Sequence, residues 1–253
     1  MSKEIQKTNP QRLTDMLKAP SVSNQFEQAL GEARGTFVSS LISAYTTNPK
    51  LRECEPSLVV SEALKAAALR LPVEPSLGLA YIIPYKGTPS FQLGYKGLLQ
   101  LAMRSGVYEN INADAVYEGE ITKKDRLTGT VELDGERISD KVVGFFAFCK
   151  TTNGFQKMVY MSREEVEAHA KKFSKTYSFS NSVWKTDFEA MAIKTVLKKL
   201  LSVYGQLSIE AQITLGQEDN PITREFSEDN TLEIPNETID IEAEDVTQSD
   251  DPY

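Results

Sequence analysis

"VVGFFAFCKTTNGFQKMVYMSREEVEAHAKKF", residues 142–173, sets the class of this fold. Two β-rich runs flank Asn153-Gly154, a pair suited to a two-residue type I′ turn, so the segment reads as a hairpin. Ser162 stands three residues before Glu165, the spacing of a capping box, and opens the helix "REEVEAHAKKF". A hairpin that feeds a helix points to an α+β layer architecture. With a two-residue turn, Thr152 pairs with Phe155 and Lys150 faces Lys157. Like charges so placed cost about a few tenths of a kcal/mol. Phe148, Lys150, Phe155 and Lys157 then share one face, a composition suited to phosphates beside stacked bases.

Downstream, the polar and aromatic loop "SKTYSFSNS" leads into a long helix expected from Val183 to Tyr204. Trp184, Phe188, Met191, Leu197, Leu200 and Tyr204 fill two apolar stripes, which makes Trp184 a core residue. Lys194 and Lys198 share a remaining face, with Lys199 beside them. Lys171, Lys172 and Lys185 are further candidate phosphate contacts. Upstream, "VYENINADAVYEG" reads as a strand and "GTVELDGERI" as a small hairpin around Asp134-Gly135.

No Asp or Glu occurs from Pro75 to Tyr108, in a chain of formal net charge -8. Inside this window "GLAYIIPY" and "SFQLGY" are extended segments joined at Lys86-Gly87. A helix follows from Tyr95 to Ser105, stopped by Gly106. Lys96, Gln100 and Arg104 fall at i, i+4 and i+8, a polar stripe opposite Leu98, Leu101 and Ala102. Lys86, Lys96 and Arg104 are cations of this window, and Tyr81, Tyr85, Phe91 and Tyr95 its aromatic residues.

Further upstream, helical periodicity runs through "NQFEQALGEARGTFVSSLISAYT", giving extra N-terminal helices at 21–46 and 57–71. Residues 1–20 read as a flexible arm and 21–216 as one folded core. Residues 219–253 carry twelve acids against one base, Arg224, so the overall acidity belongs to the end of the chain. The body is slightly basic and suited to a polyanion. Residues 217–253 read as an acidic disordered tail.

The composition, 40% hydrophobic and 25% charged, is that of a soluble globular protein. No apolar run is long enough for a membrane span, and the N-terminus has no signal-peptide character. Cys54 and Cys149 fit no metal spacing, and the single histidine, His169, leaves little room for a triad. Neither GxxxxGK[ST] nor GxGxxG occurs, which argues against nucleotide hydrolysis. Asp114, Glu118 and Glu120 share a strand face by their even spacing. They are the candidates for a divalent-metal nuclease, against a solvated strand edge.

Three long blocks, "LPVEPSLGLAYIIPY", "FQLGYKGLLQLAMRSG" and "WKTDFEAMAIKTVLKKLL", resemble the RecT-type single-strand DNA annealing proteins of phages and prophages. The resemblance covers about residues 21–216. It implies a small twisted antiparallel sheet with hairpins packed on a long helix, a Rad52-like annealing core. With it, the acid-free window becomes a DNA-facing wall in which Lys86, Lys96 and Arg104 are expected to hold phosphates and Tyr81, Tyr85, Phe91 and Tyr95 to stack on bases or support the wall. The resemblance implies ATP-independent binding and annealing of complementary strands in homologous recombination, by a ring or helical filament with a basic groove. The implied partners are single-stranded DNA, the nascent duplex, further copies of the chain and a 5'-3' exonuclease, in the cytoplasm of a bacterial host. No cofactor is implied, and a Mg2+ dependence of annealing stays open. A passive coating protein for single strands is the other binding-class reading. The ending "SDDPY" resembles the acidic tip of bacterial single-strand binding proteins, which recruits partners.

Overall fold

The structure, a computed structural model, describes residues 8–174, 176–180 and 182–219. Its architecture is α+β, as the sequence implied: N-terminal helices, a hairpin and helix, a three-stranded antiparallel sheet, then further helices.

The helices begin earlier than expected. In place of a loose arm up to residue 20, α1 (Asn9–Lys18) and α2 (Pro20–Leu30) are formed. Leu13 and Leu17, one helical turn apart, are both buried, and Arg12 is paired with Glu55 at 2.6 Å. That apolar face packs against α5 (Pro56–Ala68). The periodic run after residue 21 is not one helix. Gly31 has φ +54°, a conformation few side chains accept, and it separates α2 from α3 (Arg34–Thr47). Phe26 and Phe37 pack across this break with ring centroids 5.7 Å apart. A short α4 (Pro49–Arg52) follows, its N-terminus capped by the Asn48 side chain.

Strands β1 (Ala80–Tyr85) and β2 (Thr88–Leu93) pair through the predicted Lys86-Gly87 turn. Both turn residues have positive φ, 49° and 83°, as a type I′ turn requires. The N–H of Phe91 on β2 is taken by Glu62 of α5 at 2.6 Å. After β2 comes α6 (Tyr95–Arg104). Gly94 and Gly97 lie where a side chain would collide with the Gly78 and Leu79 backbone. Gly94 and Gly97 therefore serve close packing of α6 on the preceding chain.

The main sheet has the order β3-β6-β7, from β3 (Tyr108–Tyr117), β6 (Val142–Thr151) and β7 (Gln156–Ser162). The small hairpin differs from expectation. β4 (Lys123–Asp125) pairs with β5 (Thr130–Glu132), so the turn lies at residues 126–129. Gly135 instead packs against the Gly119 and Glu120 backbone and donates to the Glu120 carbonyl at 3.0 Å. Helix α7 (Arg163–Phe173) starts with the predicted capping box, Ser162 accepting from the Glu165 N–H and Glu165 from the Ser162 N–H.

The long helix is in two pieces, α8 (Val183–Thr186) and α9 (Phe188–Tyr204). Asp187 interrupts them and caps α9 by accepting from the Ala190 N–H at 3.2 Å. Helix α10 (Ile209–Asp219), which the sequence pattern did not announce, buries Ala211 and Leu215. The remainder of the expected acidic tail, residues 220–253, lies outside the described residues. So does the ending "SDDPY".

Helix α9 packs across the sheet on the face formed by Phe145, Ala147 and Cys149, all fully buried. An aromatic chain ties this layer together. Phe145 meets Phe188 at 6.0 Å, Phe188 meets Trp184 at 5.7 Å, and Trp184 meets Tyr177 at 6.1 Å. Trp184 is thus core, as its helical position predicted.

Candidate nucleic-acid interface

The acid-free window folds as one unit, the β1–β2 hairpin followed by α6. Lys86 sits exposed at the hairpin tip, with its ammonium 5.8 Å from the Tyr85 ring. Lys96 is exposed on the first turn of α6, and its aliphatic stem lies beside Gly78 and near the Tyr81 hydroxyl. Among the described residues it has no ion-pair partner. A lysine with its stem packed and its ammonium in water is well placed for a phosphate. Gln100 is half-buried on the same stripe.

Arg104 departs from the expected role. It donates to the Leu69 carbonyl at 2.7 Å and to the Arg70 carbonyl at 3.0 Å, closing the end of α5. The stripe presented to a ligand is therefore shorter than its spacing suggested. Phe91 also leaves the list of stacking candidates, because it is 2% exposed and part of the core. Tyr95 is half-buried against that core, and burial pushes its hydroxyl pKa upward, with Asp114 adding to the rise.

The β6–β7 hairpin overturns the facing lysines. Thr151, rather than Thr152, closes the loop: its N–H donates to the Phe155 carbonyl at 2.8 Å. Only Gly154 in the loop has positive φ, 87°, so the connection has three residues and a glycine bulge. The register becomes Cys149 opposite Lys157 and Lys150 opposite Gln156. One residue of slip places Lys150 and Lys157 on opposite faces of the sheet. Lys150 pairs with Glu109 at 2.9 Å. Lys157 donates to the Thr128 carbonyl at 2.8 Å and lies 5.3 Å from the Tyr204 ring.

The corrected register exposes a surface that sequence reasoning did not group. On the sheet face away from α9 stand Asn110, Asn112, Asp114, Phe146, Phe148, Lys150, Gln156, Met158 and Tyr160. The amide side chains are exposed and the apolar ones half-buried. Tyr160 lies over Gly144, where any side chain would collide with its ring, and Lys124 of β4 sits 4.5 Å from that ring. Strict alternation along β3, β6 and β7 was the available signal. The three-residue loop, in place of the expected two-residue turn, sets the register that aligns it.

The remaining lysines occupy two places. On α9, Lys194 and Lys198 are half-buried and Lys199 is exposed. At the end of α7 and on α8, Lys171, Lys172 and Lys185 are exposed. Lys172 lies 5.1 Å from the Phe173 ring and Lys185 4.5 Å from the Tyr177 ring.

The acids expected to share a strand face do not converge. Asp114 accepts from the Ala115 N–H at 2.8 Å, and Glu120 from the Tyr117 N–H at 2.7 Å. Glu118 accepts from Ser139 and pairs with Lys141 at 3.4 Å, which lowers its pKa, the Ser139 hydrogen bond contributing most. Among the described residues no three acidic, histidine or cysteine side chains are grouped to hold a metal. Nor is any helix among them long and apolar enough to cross a membrane.

The sequence is similar to two bacterial proteins along most of its length. It is 43% identical over 238 residues to the uncharacterized protein YqaK of Bacillus subtilis (strain 168), covering 94% of this chain and 82% of that one. It is 28% identical over 234 residues to Protein RecT of Escherichia coli (strain K12), covering 85% of this chain and 84% of the relative. The RecT family model matches residues 35–234, from α3 through the sheet and the long helix to beyond α10. The chain belongs to the RecT family.

Proposed function

We propose that this protein binds single-stranded DNA and anneals complementary strands in homologous recombination, without nucleotide hydrolysis. The observation that carries this reading is membership of the RecT family across the hairpin, sheet and long helix. The placement of Lys86 and Lys96 supports it, because both stand exposed on a unit free of carboxylates from residue 75 to 108. Two complementary strands repel through their phosphates. Lysines along a groove neutralise that charge, carry no sequence preference and leave base edges open. One protomer offers few such contacts. Useful affinity then comes from several copies along one strand, where each further contact is effectively intramolecular. Pairing and stacking of the bases supply the driving force.

The test is a time course with two labelled complementary oligonucleotides, run without nucleotide and with or without Mg2+. Acceleration over the protein-free rate, with full recovery of label, is the expected result. Binding without acceleration makes the protein a coating protein. Loss of label that EDTA prevents makes it a nuclease.

A further inference from the structure

Residues 171–186 contain no Asp or Glu, a second acid-free window separate from the one at 75–108. They span the end of α7, the connection and α8. Their aromatic side chains divide into two classes. Tyr177 and Trp184 point inward and anchor the connection to Phe188 and Phe145. Phe173 and Phe179 point outward, 42% and 45% exposed.

The exposure of Phe179 is built into the backbone. Its N–H donates to the Thr176 carbonyl at 3.0 Å, and its own carbonyl accepts from the Ser182 N–H at 3.1 Å. Phe179 thus sits at the junction of two successive turns. Ser182 is buried, and its hydroxyl accepts from the Trp184 N–H at 3.3 Å, which fixes the far side. Single exposed apolar residues are common and need no explanation. This one is held outward by a connection that anchors Tyr177 and Trp184, in a segment that also carries Lys171, Lys172 and Lys185. Lys171, Lys172 and Lys185 have no carboxylate partner among the described residues, and two of them lie against aromatic rings. A ligand that complements this surface carries negative charge and flat apolar faces together. Single-stranded DNA offers both, whereas a duplex offers phosphates but keeps its base faces stacked on one another.

We propose that the α7–α8 connection is a single-strand-selective contact. Phe179 stacks on an unpaired base, and Lys171, Lys172 and Lys185 meet neighbouring phosphates. The contact exists before annealing and is given up as bases pair and restack, so it favours binding of substrate over retention of product. This rests on the single-strand binding proposed above.

The experiment uses the full chain and three probes of equal length: a poly-dT oligonucleotide, the same backbone with abasic sites, and a duplex. Phe179→Ala should weaken binding to the first by about five- to tenfold and leave the other two unchanged. Phe179→Trp should restore binding. Lys172→Gln with Lys185→Gln should weaken all three and lower the salt dependence. Equal loss on all probes with Phe179→Ala, or no loss, overturns the stacking role while leaving the annealing reading intact. A changed assembly mass without DNA also overturns it, since the ring then touches another copy. If the unaltered protein binds none of the probes, the annealing reading falls as well.

Discussion

Arg104 holds the end of a helix more than thirty residues earlier in the chain, donating to the Leu69 carbonyl at 2.7 Å and the Arg70 carbonyl at 3.0 Å. Arg70 has φ +52°, the left-handed position that usually ends a helix with glycine. Its N–H bonds the Ala67 carbonyl and that of Leu71 bonds Ala66, the two links of a Schellman motif. The guanidinium thus supports a cap built on a disfavoured residue.

That relationship separates fold from function within one helical stripe. Arg104→Ala should lower stability by about 1–2 kcal/mol, read from denaturant unfolding. Lys96→Ala should leave unfolding unchanged, weaken single-strand binding alike for all sequences and reduce the salt slope by about one. A Lys96→Ala protein with an unchanged slope removes this lysine from the DNA contact.

Glu62 is the next test. It accepts from the Phe91 N–H at 2.6 Å and from Lys65 at 2.7 Å, with its side chain 15% exposed. Glu62→Ala leaves the β2 N–H without its partner and should cost roughly 1–3 kcal/mol in unfolding free energy. Glu62→Gln keeps an acceptor oxygen and should cost less.

Lys157 reverses a prediction made from sequence. Facing lysines would be relieved by Lys157→Thr, with stability equal or higher. In the structure the substitution removes the link to Thr128 and the contact with Tyr204. Stability should fall by up to about 1 kcal/mol, and limited proteolysis at residues 126–129 should quicken. Unaltered proteolysis would show that the β4–β5 ribbon is held by other contacts.

Cys54 and Cys149 are buried free thiols, and burial is the main cause that raises both pKa values; Glu53 adds to the rise at Cys54. The folded protein favours the protonated form, so this contribution to stability is present at neutral pH. It is lost as pH rises from the ordinary thiol range through the raised values. Both thiols should resist a thiolate-specific reagent at pH 8 in the folded protein and react fully in denaturant. Rapid reaction of either one without denaturant would contradict its burial.

The acidic C-terminal segment offers a charge test. Residues 220–253 hold eleven acids and one base, and a polyanion tethered to a DNA-binding body competes with DNA at high local concentration. Truncation after Asp219 preserves α10. It should raise apparent single-strand affinity at low salt, with the gain fading at high salt as charges are screened. Loss of binding on truncation would assign the segment a structural part instead.

Local rules carried the sequence reading where one residue type suffices. The Ser162–Glu165 capping box, the Lys86-Gly87 turn and the burial of Trp184 each follow from a spacing within a few residues. The order of β1, β2, α6, β3, β6, β7, α7 and α9 follows from the same short-range patterns, and family membership from three long blocks. Side-chain destinations beyond the local chain did not follow. Whether Asn153 takes positive φ decides the loop length, and that choice sets the face on which Lys150 stands. Arg104 looked like a free cation because its partners are carbonyls more than thirty residues away. Residues 1–20 read as a flexible arm because the surface that buries Leu13 and Leu17 belongs to α5, some forty residues further along the chain. Periodicity fixes which face a residue shares with its neighbours in the chain. Only packing against distant elements decides whether that face meets core, backbone or solvent.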